Sequence, residues 1–211
     1  MLWIAVLYAG GDPLVNYAVR VAVCLAALLV LRPWRWYAPM RPAALPAALA
    51  VGAAVAAAWI VPETAWLARL WPAAAGAYLR FAVLGTPDNA AAAAFSPALA
   101  GWPSAGLRLA GSALVVGVME EFFWRGFVCR RLAAERFVAL DPARIGAGAV
   151  LLAALAFGFE HARWLAGLGA GLAYTALYIR TRNIWSAVIA HTVTNALLGA
   201  YVLATGHYTF W

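Results

Sequence analysis

Three short polar patterns in this sequence combine residue types that can hydrolyse a covalent bond. They are Glu120-Glu121-x-x-x-Arg125, Phe157-x-x-x-His161 and His191-x-x-x-Asn195. A carboxylate or an imidazole can act as a general base toward water, and histidine and asparagine can donate hydrogen bonds to a developing oxyanion. The polar residues of these patterns are therefore the candidate catalytic residues.

The first pattern separates two adjacent carboxylates into different roles. Glu121 and Arg125 are four residues apart, so they share one face of a helix, with the acid on the N-terminal side of the base, which is the favoured order. Glu120 projects about a quarter-turn away from that pair. We therefore predict a structural ion pair between Glu121 and Arg125, beside Glu120 as the carboxylate that is available as a general base. The alternative is a polar cluster that only joins helices.

The second pattern ends at His161, one helical turn after Phe157. We expect Glu160 to pair with Arg163, three residues further along the chain. A single histidine at the end of a helix can equally be an interfacial residue. If the spans were straight helices, His161 would lie on the order of 10–20 Å nearer the outer face than Glu120. The site then closes only if the fourth span tilts or begins further inside.

The third pattern carries two neutral polar residues, His191 and Asn195, on one helix face. Such donors can stabilise an oxyanion, or they can join helices through hydrogen bonds worth roughly 0.6–2 kcal/mol each in a membrane. Two carboxylates and two histidines could also ligate a divalent metal, but the Glu-x-x-His and His-Glu-x-x-His spacings typical of metal sites are missing. We predict no cofactor, with a divalent metal as the alternative.

The amino-acid composition indicates whether these residues lie in a water-soluble protein or in a lipid bilayer. Of 211 residues, 66% are hydrophobic and only 11% are charged, whereas roughly a quarter of a soluble domain is charged. A chain of this size cannot bury so much apolar surface in a water-soluble core, so a soluble enzyme is excluded. The net charge of +7 comes from arginines at the ends of apolar runs, where they set membrane orientation and contact anionic head groups. Nucleic acid is not an expected partner.

Apolar runs of the length that a spanning helix needs occur along the whole chain. They cover residues 13–31, 43–61, 102–131, 145–161, 164–179 and 184–204. We predict an all-α fold, a polytopic transmembrane helical bundle with about six to eight membrane helices. The whole chain, 1–211, forms one integral membrane domain, with N-terminal helices and a long loop over 1–101 and a catalytic helical core over 102–205.

Smaller features complete this prediction. Residues 1–10 are apolar but too short to span a bilayer. An amphipathic or tilted helix is expected over 65–84, followed by a loop that contains 87–89. The dipeptide Asp141-Pro142 is typical of a helix cap. Arginines divide nine to three between alternate connections, which places the more basic set in the cytoplasm and the C-terminus outside.

The three motifs, in this order and each on a predicted membrane helix, resemble those of the CPBP family of membrane proteins. This family comprises the type II CAAX prenyl proteases and bacterial relatives, including bacteriocin-processing and immunity proteins. The similar region runs from about Val115 to Leu198, and the chain looks most like the CAAX-protease-related proteins of bacterial exosortase systems. The resemblance implies a multi-pass glutamate endopeptidase in a bacterial inner membrane. Its partners would be the lipid bilayer, a membrane-associated protein or peptide substrate and proteins of an exosortase system.

The resemblance also implies a role for each polar residue. Glu120 and His161 would activate the attacking water, and Glu121 would brace the site together with its arginine partner. His191 and Asn195 would bind the oxyanion of the tetrahedral intermediate.

Two aromatic residues of the motifs, Phe123 and Phe157, are expected to contact the substrate. A non-catalytic membrane protein of the immunity or scaffold type is the main alternative function. A small transporter that uses the acidic and histidine side chains as a proton relay is a further alternative. It should contain repeated halves and broken helices, and the sequence shows neither.

Overall fold

The protein is described by a computed structural model that covers residues 12–85 and 92–211. Within these ranges the chain forms helices and turns and no strand, which confirms the all-α prediction. The helices are α1 (Pro13–Leu31), α2 (Leu45–Ile60), α3 (Ala65–Leu70), α4 (Pro72–Phe81), α5 (Pro97–Ala110), α6 (Gly117–Glu121), α7 (Cys129–Ala133), α8 (Ala147–Phe159), α9 (Trp164–Thr181) and α10 (Ile184–Thr205). The predicted apolar segment 1–10 and the loop at 87–89 lie outside the described residues.

Three helical stretches are long and apolar enough to cross a membrane, judged by length and composition. They are Pro13–Trp36, Pro42–Glu63 and Ile184–Thr205. All three coincide with predicted spans, and Ala147–Phe159 is a shorter apolar helix. A helical membrane-type bundle agrees with these lengths, and the predicted number of crossings stays a prediction.

The helix that carries the first motif is continuous but irregular. It runs through α5, α6 and α7, which are joined by two π-helical segments, Gly111–Val116 and Phe122–Val128. It also kinks at Gly101, whose φ of 76° and ψ of 164° are not helical. Each π turn inserts a residue and rotates the side chains that follow, and such segments are frequent at functional sites. The two adjacent glutamates therefore lie between two places where the helix changes its twist.

The predicted helix over 65–84 is wrong in one respect, because it is two helices. α3 ends at Trp71, whose φ of −144° and ψ of 74° are not helical, and α4 starts at Pro72. A proline disfavours the helical conformation in the residue before it, which breaks the helix at this point. Asp141 does form a cap, since its side chain accepts a hydrogen bond from the backbone N–H of Ala143. It caps a single 3₁₀ turn, however, and not α8.

The core of the bundle is the close contact between α2 and α10, and α10 also packs against α6 and α9. The backbones approach at Gly52, whose carbonyl oxygen accepts a hydrogen bond from Thr194 Oγ1 at 2.9 Å. A Cβ at Gly52 would lie 2.5 Å from the Ala190 carbonyl oxygen and 2.8 Å from the Val193 Cβ. Only glycine allows this approach without movement of the backbone.

Gly52→Ala is therefore expected to destabilise the protein by about 1–3 kcal/mol, the usual effect of overpacking a core. The thermal midpoint of the detergent-purified protein measures this loss. Gly76→Ala is the matched control, because a Cβ at this α4 position meets no atom within 4 Å. There alanine should leave the midpoint unchanged or raise it slightly. Equal midpoints for the two variants would contradict this account of the packing.

Candidate active site

The predicted ion pair of the first motif forms in the interior of the bundle. Arg125 Nη1 donates to Glu121 Oε1 at 2.9 Å, and the two residues are 1% and 0% exposed. Arg125 Nη2 also donates to the Gly171 carbonyl oxygen at 3.2 Å. The guanidinium carbon lies 4.4 Å from the ring centre of Phe157 and 5.3 Å from that of Tyr174. One charge pair thus connects the first-motif helix with α8 and α9.

His191 of the third motif lies between the two carboxylates of the first. Its Nδ1 is 2.8 Å from Glu121 Oε1, and its Nε2 is 3.9 Å from Glu120 Oε2. The shorter distance is a hydrogen bond, in which Nδ1–H donates to the carboxylate of Glu121. The longer distance exceeds a direct hydrogen bond. Glu121 therefore orients His191 so that Nε2 faces Glu120.

Glu120 has the free carboxylate that the first pattern predicts. Its side chain is 13% exposed, and among the described residues its buried Oε2 has no hydrogen-bond partner. Glu121 uses its Oε1 for both Arg125 and His191. The two neighbouring glutamates consequently differ in function, with one held as a structural acceptor and the other available for proton transfer.

A small cavity of about 110 Å³ adjoins this cluster. It is lined by Trp59, Phe157, His161, Ala170, Tyr174, His191, Thr194, Asn195, Leu198 and Phe210. The second and third motifs therefore meet at one cavity. Of the two phenylalanines predicted to contact substrate, Phe157 is in the wall of this cavity. Phe123 is not, and it packs edge-on against Trp124 with ring centres 5.0 Å apart.

His161 reaches the cavity because α8 is short. The helix has 13 residues and is roughly 20 Å long at about 1.5 Å per residue, which is less than the ~30 Å of a bilayer core. Residues 134–146 form separate turns and do not extend it. His161 follows the end of this helix, and its Nδ1 is 2.8 Å from the Phe157 carbonyl oxygen. The structure thus places His161 at the same cavity as His191.

Asn195 is at the cavity with part of its amide already committed. Its Nδ2 donates to the Ser112 carbonyl oxygen at 2.9 Å, and this oxygen belongs to the first π-helical segment. An amide nitrogen carries two hydrogens, so one donor of Asn195 remains. One residue can in this way join two helices and still donate to a group in the cavity.

The predicted pair between Glu160 and Arg163 is wrong. Arg163 Nη2 donates to Glu63 Oε2 at 2.8 Å, and Trp124 Nε1 donates to Glu160 Oε2 at 3.0 Å. Residues 160–163 form a turn between α8 and α9, so helical spacing does not place the two side chains on one face. The partner of Arg163 comes instead from the turn that follows α2.

Two residues of the site were not predicted from the motifs. The Tyr174 ring stacks on His191 with centres 5.0 Å apart and an interplanar angle of 24°. Its Oη donates to Thr194 Oγ1 at 2.7 Å, and Thr194 donates in turn to the Gly52 carbonyl oxygen. Tyr174 therefore fixes the imidazole face of His191. The sequence feature that could have identified Tyr174 is a polar aromatic side chain on a helix that is rich in small residues.

The side chains do not converge in the manner of a metal centre. Within residues 12–85 and 92–211, no group of three or more histidine, cysteine, aspartate or glutamate side chains is arranged to hold a metal ion. In the carboxylate–histidine cluster, Glu121 Oε1 already accepts from Arg125 and His191.

The fold and the site together define a class of protein: a helical membrane protein with a buried carboxylate–histidine site beside a small cavity. Residues 102–197 match the family described as type II CAAX prenyl endopeptidase Rce1-like. The matched residues include all three motifs, so this part of the chain is similar to the Rce1-like domains of the CPBP family. No curated protein and no solved structure matches the chain. The match supports, at the family level, a CAAX protease-like intramembrane endopeptidase.

Proposed function

We propose that this protein is a glutamate-dependent intramembrane endopeptidase that hydrolyses a peptide bond close to or within the bilayer. The observation that carries the proposal is the arrangement of Glu120 and His191. An unpartnered carboxylate faces an imidazole nitrogen at 3.9 Å, and the other nitrogen of that imidazole is held by Glu121. A base and a polar partner at this separation, in a site shielded from bulk water, suit the activation of one water molecule.

In the proposed reaction Glu120 takes a proton from water, and the resulting hydroxide adds to the carbonyl carbon of the scissile bond. The oxyanion accepts hydrogen bonds from the remaining amide hydrogen of Asn195 and from Nε2–H of His191. The carbon–nitrogen bond then breaks, and Glu120 returns its proton to the leaving amine. His161 orients the water through Nε2, since its Nδ1 is bonded to the Phe157 carbonyl.

The remaining parts of the proposal concern substrate and location. The substrate is a membrane-associated protein or peptide, because the site is surrounded by helices apolar enough for a bilayer. The protein lies in a bacterial inner membrane with several crossings, and proteins of an exosortase system are its proposed partners.

A non-catalytic membrane protein is the second candidate, and one observation favours it. The hydrogen bonds of His191 to Glu121 and of Asn195 to Ser112 already join three parts of the bundle, as a purely structural polar cluster would. Those bonds do not use Glu120, whose Oε2 is 3.9 Å from Nε2 of His191. A carboxylate that faces the imidazole but joins no helices favours the enzyme.

The proposal is tested by comparing protein termini in membranes from cells with and without this protein. We expect new termini in membrane-associated proteins only when the protein is present, and the same termini when purified protein acts on those membranes. Addition of EDTA should leave the cleavage rate unchanged, because the proposed chemistry uses only side chains. If no protein-dependent termini form, the protein is not an endopeptidase, and loss of cleavage in EDTA would favour the metal alternative.

A further inference from the structure

The catalytic cavity is too small for the proposed substrate. Pockets that bind ligands usually have volumes of roughly 300–1,000 Å³, so the cavity of about 110 Å³ is small for a peptide segment. If the protein is the endopeptidase proposed above, part of the cavity wall has to move before a peptide segment can lie against the His161, His191 and Asn195 side chains that line it. The structure indicates which part of the wall this is.

Most of the cavity wall belongs to long helices, and the exceptions are His161, in the turn between α8 and α9, and Phe210. Phe210 is in a three-residue 3₁₀ turn, Tyr208–Phe210, that follows the end of α10. The chain leaves α10 through Gly206, whose φ of 73° is in the left-handed region that favours glycine. The backbone hydrogen bonds of the turn are local, such as Trp211 N–H to the Tyr208 carbonyl. Segment 206–211 is therefore the wall that can move without unwinding a helix.

Besides the packing of Phe210 and Trp211 against the core, a buried cation connects this segment to distant parts of the chain through hydrogen bonds. Arg163 is 4% exposed, and it donates to the Thr209 carbonyl oxygen at 2.7 Å and to Thr209 Oγ1 at 3.3 Å. Its guanidinium carbon is 4.0 Å from the ring centre of Phe210. The same guanidinium forms the two-point ion pair with Glu63. In the described part of the chain, the long-range hydrogen bonds of segment 206–211 all come from Arg163.

We infer that segment 206–211 is a gate over the catalytic cavity, with Phe210 as the movable wall and the Arg163–Glu63 ion pair as its latch. In the closed position Trp211 Nε1 is buried without a hydrogen-bond partner among the described residues, which opposes closure. An opening of the gate would let Trp211 Nε1 reach a hydrogen-bond partner, and it would expose the side of the cavity next to His161. Phe210 then limits the size of the substrate residue that can lie beside the scissile bond. Segment 206–211 and Glu63 lie outside the part of the chain that matches the family, and Arg163 lies inside it.

Thiol labelling tests this inference without any need for a substrate. Leu198 lines the cavity, so Leu198→Cys places a thiol there, in a chain whose two buried native cysteines are replaced by alanine. The probe is a water-soluble methanethiosulfonate ammonium reagent, applied to protein in detergent. Glu63→Gln loosens the latch and leaves Phe210 intact, and it should accelerate labelling by about tenfold or more, since the rate follows the population of the open form.

Two further variants keep the result interpretable. Phe210→Ala should accelerate labelling even if the latch variant does not fold. Phe159→Ala is the matched control, because Phe159 is an exposed aromatic residue that stacks on Trp164 and does not line the cavity. Unchanged labelling in folded Glu63→Gln, or equal acceleration in Phe159→Ala, would overturn the gate. Labelling does not depend on hydrolysis, so a gate that opens in a protein without peptidase activity would contradict only the proposed function.

Discussion

Replacement of Glu120 by glutamine is expected to abolish proteolysis while the protein stays folded. Glutamine has nearly the same shape as glutamate but cannot take a proton from water, so the rate should fall by about 10²–10⁴-fold, the usual contribution of a general base. The measurement is the rate at which protein-dependent termini form, normalised to the amount of folded protein in the membrane. Glu120 Oε2 has no partner among the described residues, so the thermal midpoint should not fall.

Two companion variants separate this result from a general effect of charge. Glu135→Gln removes an acid from an exposed turn and should leave the rate unchanged. His191→Ala should remove activity as Glu120→Gln does, because it deletes the donor that faces the developing oxyanion. Wild-type rates for both Glu120→Gln and His191→Ala in the cell would show that the protein is not a glutamate protease. The non-catalytic alternative would then be preferred.

Replacement of Arg125 by alanine is expected to prevent most of the protein from folding. The change leaves Glu121, which is fully buried, without its ion-pair partner, and such a loss destabilises proteins by about 3–5 kcal/mol. It also removes the hydrogen bond to Gly171 and the packing of the guanidinium against Phe157. The yield of monodisperse protein after detergent extraction and its thermal midpoint measure the effect.

The matched control is Arg131→Ala, because Arg131 is on the same helical run and is exposed. Its yield and midpoint should equal those of the wild type. In the double variant Arg125→Ala with Glu121→Gln, part of the lost stability should return, since no uncompensated charge is then buried. A single variant Arg125→Ala that folds as well as Arg131→Ala would show that the buried ion pair does not hold the site together.

The contrast between these two variants follows from the helix that carries both glutamates. Glu121 points toward Arg125 and His191, where it is held by two hydrogen bonds. Glu120 is rotated away from Arg125, and its Oε2 lies 3.9 Å from Nε2 of His191 without a hydrogen-bond partner among the described residues. Replacement of Arg125 should therefore lower the yield of folded protein, and replacement of Glu120 should lower the rate of cleavage. The same two positions could not exchange roles without rotation of the helix.

Much of the fold could be predicted because helices and caps depend on near neighbours. The span predicted over 13–31 has the bounds of α1, and Asp12 caps it by accepting from the N–H groups of Leu14 and Val15. The ion pair between Glu121 and Arg125 was predictable for the same reason, since one helical turn separates the two residues. The single helix predicted over 65–84 is wrong because Pro72 disfavours the helical conformation of Trp71 and divides the segment into two helices.

Apolar composition and helical spacing alone were enough to predict a membrane helical protein, its three polar motifs and the pairing within the first motif. Only packing could show that Arg163 pairs with Glu63, one hundred residues earlier, and that Phe210 closes the cavity. The physical reason is that neighbours on one helix are set by its constant rise and twist. Partners from different helices are set by where each turn redirects the chain and by which side chains then fill the interior.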